Sequence, residues 1–448
     1  MINVGNLSAP EAIARPVQKR SRVRGLLRRL GPGFITGASD DDPSGIASYS
    51  QAGAAFGYGL LWTMLLSLPL MAAIQEISAR MGRVTGHGIA GNIRRHYSVW
   101  LLYPIVALLL VANTINIGAD IGAIGDATRL LVGGPALLYS IVFALLVITV
   151  QVLGSYNRCC TIFKLLALVL LSYILTAFMV HVQWSTALKS TVLPRFQRSS
   201  DYWATFVAVL GTTISPYLFF WQASLESEEI QNHSDEKALK SAPKQAKKEF
   251  GRIRFDTYVG MGFSNLVAYF IIIASAATLN LHGVKTIDTS AQAAEALRPL
   301  AGNAAFVLFA FGIIGTGLLA VPVLAGSAAY AVGEAIQWPT GMDRKPRAAK
   351  GFYAVLILST LLGLAINFPS IQALTHLTPI RALFWSAVIN GVVAVPVMVI
   401  VMLMAGSKRV MAQFERTSRP LQLMGWLATA VMCAASVMMF ATWKSSAG

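Results

Sequence analysis

The sequence predicts an all-α polytopic membrane protein with about eleven transmembrane helices, and three observations support this class. Hydrophobic residues make up 55% of the 448-residue chain and charged residues only 12%, and the mean hydropathy is +0.60. The apolar residues are gathered in runs of roughly 20 or more, which is the length a helix needs to cross a hydrocarbon core. The runs lack the period-two alternation of outer-membrane barrel strands, so we expect a helix bundle.

Eleven apolar segments are long enough to cross the bilayer. They cover residues 31–56, 59–80, 100–125, 135–154, 162–182, 202–228, 256–279, 303–334, 351–368, 379–405 and 422–443. We interpret residues 30–443 as one transmembrane domain and residues 1–29 as a basic cytoplasmic tail.

The basic residues predict the orientation. With the N-terminus in the cytoplasm, 28 of the 36 Lys and Arg residues fall in inward-facing segments, and eleven spans then leave the C-terminus outside. The formal net charge of +16 is therefore mainly a topological signature, and the chain offers no soluble basic domain for a nucleic acid. We expect a monomer in the lipid bilayer of a bacterial inner membrane.

The first apolar segment carries three consecutive aspartates, Asp40, Asp41 and Asp42, followed by Pro43. A carboxylate at membrane depth costs at least about 2.5 kcal/mol, so it usually faces a protein interior or an aqueous path and marks function. Aspartate is a favoured N-cap and proline a favoured first helical residue. The pattern predicts a half-helix that ends near Ser39, an unwound bridge from Asp40 to Asp42, and then a second half-helix.

A second interruption is predicted in the sixth segment, where residues 211–214 lead into Ser215 and Pro216. Breaks in spans one and six are what a five-plus-five inverted repeat gives, and such paired breaks indicate a transport site at the membrane midplane. A simple proline kink is the alternative for either break alone. We expect a first repeat at about 30–182, a second at about 202–405 and an extra helix at about 422–443.

The predicted bridge indicates a cation site. Carboxylates, backbone carbonyl groups and the negative ends of half-helices would lie together there. These are hard oxygen ligands, which suit a small divalent cation such as Mg²⁺ or Mn²⁺. Adjacent carboxylates also repel one another unless a cation lies among them. We expect a divalent metal ion as the substrate and no resident cofactor.

Four short motifs carry a family resemblance: Gly31-Pro32-Gly33-Phe34, Asp42-Pro43, Gln51-Ala52-Gly53 and Tyr58-Gly59-Leu60-Leu61-Trp62. The chain resembles the Nramp (natural resistance-associated macrophage protein) family of divalent metal transporters, in particular its divergent, magnesium-transporter-like bacterial branch. The likeness is strong through about residue 86 and weaker beyond it. It implies a leucine-transporter-type fold with ten core helices in inverted repeats and an extra helix at the end.

The resemblance also implies a metal site that this chain has altered. Asp42 keeps the aspartate ligand, Gly45 replaces the family's asparagine ligand, and Thr212 would contribute a backbone carbonyl by its family position. Ser215 and Tyr217 replace a methionine and a histidine of the sixth span. The loss of the soft thioether favours a wider, oxygen-lined site, which suits Mg²⁺ because that ion dehydrates reluctantly.

Other acidic residues have open roles. We place Asp41 with the metal ligands and Asp40 on the substrate path, although either could simply cap the unwound turn. Asp120 matches an acidic position on the family's proton route, and a buried partner for a neighbouring Ser, Thr or Arg is the alternative. Glu76 is placed on the path as well, with an interfacial or ion-pair role as the alternative.

The remaining polar groups in the spans receive ordinary interpretations. A solvated inner mouth is predicted for Glu226, Glu228 and Glu229. Interhelical hydrogen bonds are predicted for four asparagines, Asn113, Asn116, Asn265 and Asn390.

These patterns favour a secondary transporter that imports Mg²⁺ and/or Mn²⁺ by alternating access, in symport with a second ion. We expect no enzyme, because no phosphate-binding loop, zinc motif or nucleophile elbow stands out. One alternative is a transporter of the same fold for a small organic or amine substrate, in which Tyr217, Phe219, Phe220 and Trp221 line the pocket. Another is a membrane sensor that binds an ion without moving it.

Overall fold

The computed structural model describes residues 32–153, 169, 171–232, 237–375, 378–414 and 419–446, and within these residues every regular element is a helix. The predicted tail over residues 1–29 lies outside the described residues. So does most of the first half of the predicted span 162–182.

The helices of the first half of the chain are α1 (Pro32–Asp40), α2 (Pro43–Phe56), α3 (Trp62–Thr85), α4 (Ile89–His96), α5 (Val99–Val132), α6 (Ala136–Leu153), α7 (Leu171–Met179) and α8 (Trp184–Val192). The second half contains α9 (Ser200–Thr213), α10 (Pro216–Asn232), α11 (Ala246–Ser275), α12 (Ser290–Ala294), α13 (Arg298–Ala301), α14 (Ala305–Ile336), α15 (Lys350–Ala365), α16 (Pro369–Thr375), α17 (Pro379–Ala405), α18 (Lys408–Met411) and α19 (Arg419–Ser446). Short 3₁₀ or π turns lie at Gly57–Leu60, Pro243–Gln245, Ala276–Asn280, Glu295–Leu297, Gly302–Ala304 and Ala412–Phe414.

Eight helical stretches in the described part of the chain are long and apolar enough to cross a membrane. One of them, Ser200–Gln231, combines α9 with α10. The other three predicted spans differ in form. The first is split into α1 and α2, the fifth is described mainly as the nine-residue α7, and the ninth is the 16-residue α15. The chain is thus a multi-pass helical membrane protein.

Both predicted helix breaks are present. Asp42 is the N-cap of α2 with extended backbone angles (φ −73°, ψ 171°), and its side chain accepts a hydrogen bond from the Gly45 N–H. The predicted boundaries need one correction, because Asp40 still belongs to α1 and the unwound bridge is only Asp41 and Asp42. In the sixth span, α9 ends at Thr213 and α10 begins at Pro216.

The half-helix α1 packs along α11 through positions of matching spacing. The Gly33 N–H donates to Asp256 Oδ2 at 2.7 Å near the start of α1. One turn later the backbone of Gly37 faces that of Gly260. The spacing of about four residues on both helices keeps these contacts on one face of each. This packing holds Asp40, the first of the three consecutive aspartates, against α11.

Candidate metal site

Asp42 is buried, and three donors fix its carboxylate. Ser44 Oγ and the Gly45 N–H donate to Oδ1 at 2.6 Å and 2.8 Å, and Asn116 Nδ2 on α5 donates to Oδ2 at 3.0 Å. The carboxylate is therefore held in a fixed orientation between the first turn of α2 and α5.

Asp40 and Asp41 both meet Ser264 of α11. Ser264 Oγ lies 2.5 Å from Asp40 Oδ2 and 3.0 Å from Asp41 Oδ1, and both aspartates are buried. A serine hydroxyl has one hydrogen, so it can donate to only one of these carboxylates at a time. Within the described residues Asp40 Oδ1 has no hydrogen-bond partner. The cluster thus holds more acceptor oxygens than donors, which is the imbalance that a bound cation corrects.

The second break lies directly beside the first. A Cβ atom on Gly45 would lie 3.0 Å from Thr212 Oγ1 of α9, so α2 and α9 approach closely where glycine replaces the family's asparagine. Ser215 Oγ donates toward the carbonyl oxygens of Gly211 and Thr212, at 2.6 Å and 2.9 Å. The Ser215 hydroxyl is therefore directed at its own helix end, and its oxygen remains able to accept.

Tyr217 connects the two interrupted helices. It is fully buried at the start of α10, and its hydroxyl donates to the carbonyl oxygen of Ser39 at 3.1 Å. That carbonyl belongs to the last turn of α1, where helix carbonyl groups lack intrahelical partners. Tyr217 therefore lies next to the aspartates.

Asp120 lies on α5 one turn after Asn116, so the two side chains share a helix face. It is fully buried, and neither of its carboxylate oxygens has a hydrogen-bond partner within the described residues. The alternative role, a partner for a neighbouring Ser, Thr or Arg, finds no support in that part of the chain.

The acidic residues farther along the spans form ion pairs. Glu76 is buried and pairs with Arg80 one turn away and with Arg254 at 3.5 Å. This is the ion-pair role that the sequence left open, and the structure shows no contact between Glu76 and the aspartates among the described residues.

The solvated mouth predicted for Glu226 and Glu228 is wrong. Glu226 is fully buried and accepts from Arg252 at 2.5 Å. Glu228 accepts from the Tyr330 hydroxyl and from the Asp343 N–H, the latter at 2.9 Å. Helices α11 and α14 close over this end of α10, which a pattern of charges along α10 alone could not indicate.

Sequence reasoning missed three contributors to the site, Asn116, Ser264 and Ser386. The interhelical hydrogen bond predicted for Asn116 is present, and its partner is the candidate ligand Asp42. Ser386 of α17 in turn contacts Asn116 Oδ1 at 2.7 Å. The signal available in the sequence was helical spacing. Asn116 and Asp120 are four residues apart, as are Gly260 and Ser264, so each pair shares one helix face.

A cavity of about 640 Å³ lies at the far ends of α2 and α9 from the aspartates. Its walls include Gln51 of α2, Thr205 of α9, Lys285, and Trp385 and Trp443 of α17 and α19. Because Asp42 is at the N-terminus of α2 and Thr212 near the C-terminus of α9, these two half-helices run from the cavity to the site.

Two interrupted helices that meet around buried carboxylates, inside a bundle of membrane-spanning helices, are typical of membrane transporters. A protein-family model described as Nramp, natural resistance-associated macrophage protein-like, matches residues 33–442. The chain belongs to this family.

Known relatives agree with this assignment. The chain is 26% identical over 422 residues to a protein of Deinococcus radiodurans named divalent metal cation transporter MntH, covering 92% of this chain and 89% of the relative. A manganese transporter of Eremococcus coleocola has a similar structure, with a TM-score of 0.73, 17% identity and coverage of 98% and 89%. Mhp1, a nucleobase-cation-symport-1 family transporter, matches with a TM-score of 0.56, 14% identity and 93% coverage of each chain. The fold is the leucine-transporter type.

Proposed function

We propose that this protein imports a divalent cation, Mg²⁺ and/or Mn²⁺, by secondary transport with alternating access. The observation that carries the proposal is the position of three consecutive buried aspartates, Asp40, Asp41 and Asp42, at the junction of two broken helices. The names of the relatives, a divalent metal cation transporter and a manganese transporter, support a divalent metal as the substrate.

The proposed ligands are oxygens only. Asp42 is the principal ligand and Asp41 the second carboxylate, while Thr212 offers its carbonyl and Ser215 its hydroxyl oxygen, directly or through water. Gly45 supplies no side-chain ligand, and Thr212 Oγ1 would lie only 3.0 Å from a Cβ atom at this position. Hard oxygen ligands favour Mg²⁺ and Mn²⁺ over softer transition metals, and a Mg²⁺ ion that keeps part of its water shell suits the missing ligands.

The path beside the site is proposed to include Asp40, Tyr217 and Asp120. Asp120 is our candidate for a proton route, because a buried carboxylate without a hydrogen-bond partner is costly unless it has a function. Glu76, held in its ion pairs, is proposed to act on the path only if those pairs open during the cycle.

We further propose that α1, α2, α9 and α10 move against the rest of the bundle, with the cavity as the outer entrance. The N-terminus would be cytoplasmic and the C-terminus outside, in a bacterial inner membrane, and the monomer would be the transporting unit. The basic residues support this orientation.

The organic-substrate alternative loses its specific support. Phe219, Phe220 and Trp221 are fully buried, and Trp221 packs edge-on against Tyr330 with ring centroids 5.9 Å apart. A Cβ atom on Gly326 would lie only 2.4 Å from Trp221, so this ring fills its space. These aromatic residues form core packing here.

The test is cation uptake into proteoliposomes. The wild type should move Mg²⁺ or Mn²⁺ down a gradient, and Asp42→Ala should abolish the flux. Asp126→Ala is the matched control. Asp126 lies near the C-terminal end of α5 and accepts a hydrogen bond from Ser290 at 2.6 Å. A wild type that moves neither ion under any gradient would refute the proposal.

A further inference from the structure

Asn116 forms the middle of a short chain of contacts that begins at Asp42. It is fully buried on α5, with Nδ2 3.0 Å from Asp42 Oδ2. On its other side, Ser386 Oγ of α17 lies 2.7 Å from Asn116 Oδ1 and 2.8 Å from the carbonyl oxygen of Leu383. The Asn116 amide thus connects α5 with the N-cap of α2 and with α17.

The hydrogens available determine how this chain is arranged when the site is empty. An ionised carboxylate can only accept, so Asn116 must turn its NH₂ group to Asp42. Its carbonyl oxygen then faces Ser386, which has a single hydroxyl hydrogen and must give it to that oxygen. The hydroxyl has no second hydrogen for the Leu383 carbonyl oxygen, so the contact of Ser386 with Leu383 is then the weaker of its two contacts.

A second arrangement satisfies Ser386 and the Leu383 carbonyl group equally well. Rotating the amide by half a turn exchanges its oxygen and nitrogen. The NH₂ group then donates to Ser386 Oγ, and the Ser386 hydrogen turns to the Leu383 carbonyl oxygen, which is already within bonding distance at 2.8 Å. Only the contact with Asp42 becomes unfavourable, because two acceptor oxygens then face each other. A cation bound between these two oxygens would make their approach favourable.

We propose that Asn116 is a ligand of the transported cation, and that its amide turns over when the ion binds. The inference rests on the proposed function and adds a ligand to the same site. In the empty state Asn116 holds Asp42 by donating to it, and in the loaded state it presents its carbonyl oxygen to the ion beside Asp42 Oδ2.

The distance agrees with a small octahedral ion. Ligands of Mg²⁺ lie at about 2.0–2.1 Å, so neighbouring oxygens in its octahedron are about 2.8–3.0 Å apart. The Asn116 amide and Asp42 Oδ2 are 3.0 Å apart. The two groups are therefore close enough to share one small divalent ion without any backbone movement.

The arrangement also explains how the chain can lack an amide at Gly45. A neutral amide oxygen reaches the site from α5 instead of from the first turn of α2. Ser386 can either donate to the Asn116 amide or accept from it. When the ion binds, Ser386 of α17 would therefore change from donor to acceptor in its hydrogen bond with Asn116.

Calorimetric titration of the purified protein with Mg²⁺ and Mn²⁺ tests the role of Asn116. Asn116→Leu should weaken the binding of both ions by about tenfold or more, as loss of groups around metal sites commonly does. Asn113→Leu is the matched control. Asn113 is buried one turn earlier on α5 and donates to Leu324 and Ser327, away from the aspartates. It should leave both titrations unchanged.

A second measurement reads the Asn116 carbonyl group in the wild-type protein itself, and one variant assigns the signal. In protein labelled with ¹³C at the asparagine side-chain carbonyl, difference infrared spectra should show one amide band shifting when Mg²⁺ is added. The shift should be absent in Asn116→Ser. A structural role alone would leave that band in place.

The outcomes separate the two proposals. If the wild type neither binds nor moves Mg²⁺ or Mn²⁺, the proposed function fails and this inference fails with it. If the wild type transports but Asn116→Leu binds Mg²⁺ within twofold of it, or the carbonyl band does not shift, only the role of Asn116 is refuted.

Discussion

Gly37 and Gly260 bring the backbones of α1 and α11 into direct contact. A Cβ atom on Gly37 would lie 2.3 Å from the carbonyl carbon of Gly260, a distance that no side chain movement can relieve. We therefore predict that Gly37→Ala forces α1 off α11, costing roughly 1–3 kcal/mol of folding free energy as overpacking does. Transport should fall sharply, because Asp40 and Asp41 lose their position at Ser264.

The control for Gly37→Ala lies on α11 itself. A Cβ atom added to Gly262 would meet open space, with no atom within 4 Å. Gly262→Ala should be neutral or slightly stabilising, since alanine favours a helix by about 1 kcal/mol over glycine. Thermal unfolding in detergent and cation uptake measure both variants. Equal behaviour of the two would contradict the proposed contact.

The helix breaks and the aspartate cluster were predictable because their signals are local. A helix N-cap followed by proline identifies the start of α2 within one residue, and an apolar run identifies a span. The partners of the aspartates were not predictable in the same way. Ser264 is 223 residues from Asp41 along the chain and Asn116 is 74 residues from Asp42. Only the packing of α1 against α11 and the approach of α5 bring them together.

The acidic end of α10 illustrates the opposite case. Three glutamates in four positions predict a solvated surface, since charges usually remain in water. The prediction fails because Arg252 and Tyr330 come from two other helices to meet Glu226 and Glu228. Sequence pattern reports the chemistry of one helix, whereas burial depends on its neighbours.

Restoring the family's ligands should change ion selectivity. In the double variant Ser215→Met and Gly45→Asn, the thioether and amide should raise transport of Mn²⁺ and Cd²⁺ relative to Mg²⁺, because softer ions favour sulfur. The asparagine also meets a steric barrier, with Thr212 Oγ1 at 3.0 Å and Tyr49 at 3.2 Å from its Cβ position. We therefore expect a lower unfolding midpoint as well.

Gly45→Ala separates these two effects. It adds the same Cβ atom without the amide, so it should lower the unfolding midpoint and leave the ratio of Mn²⁺ to Mg²⁺ uptake as in the wild type. The explanation in terms of ligand softness is wrong if the double variant also leaves that ratio unchanged.

His87, in the loop between α3 and α4, should make stability depend on pH. Burial, followed by the positive charges of Arg95, Lys240 and His96, lowers the pKa of His87 from 6.5 to about 4. Between about pH 6.5 and pH 4 the unfolded chain therefore binds a proton that the folded chain refuses, and stability falls as the solution is acidified. His87→Gln should reduce that loss, measured as the change in unfolding midpoint between pH 7 and pH 5.

Arg95→Gln tests the assigned cause of the His87 effect. Removing one of the positive charges should make His87 easier to protonate in the folded protein and should flatten the same pH dependence in part. A pH dependence that is identical in the wild type and in both variants would show that His87 is not responsible.

Arg252 should be the most sensitive cation in the ion pairs beside α10. It contacts Glu226 at 2.5 Å, Glu249 at 3.0 Å and Glu229 at 3.5 Å, and Glu226 is fully buried. Arg252→Gln leaves the Glu226 carboxylate without this bound cation, which costs roughly 3 kcal/mol or more.

Arg298→Gln is the control, because Arg298 is 61% exposed and its bond to Glu295 at 3.0 Å is a surface pair, worth about 0–1 kcal/mol. Thermal unfolding should show a fall of several degrees for Arg252→Gln and almost none for Arg298→Gln, and adding Glu226→Gln to the first should restore part of the loss. If the double variant is no more stable than Arg252→Gln, the buried charge is not the cause.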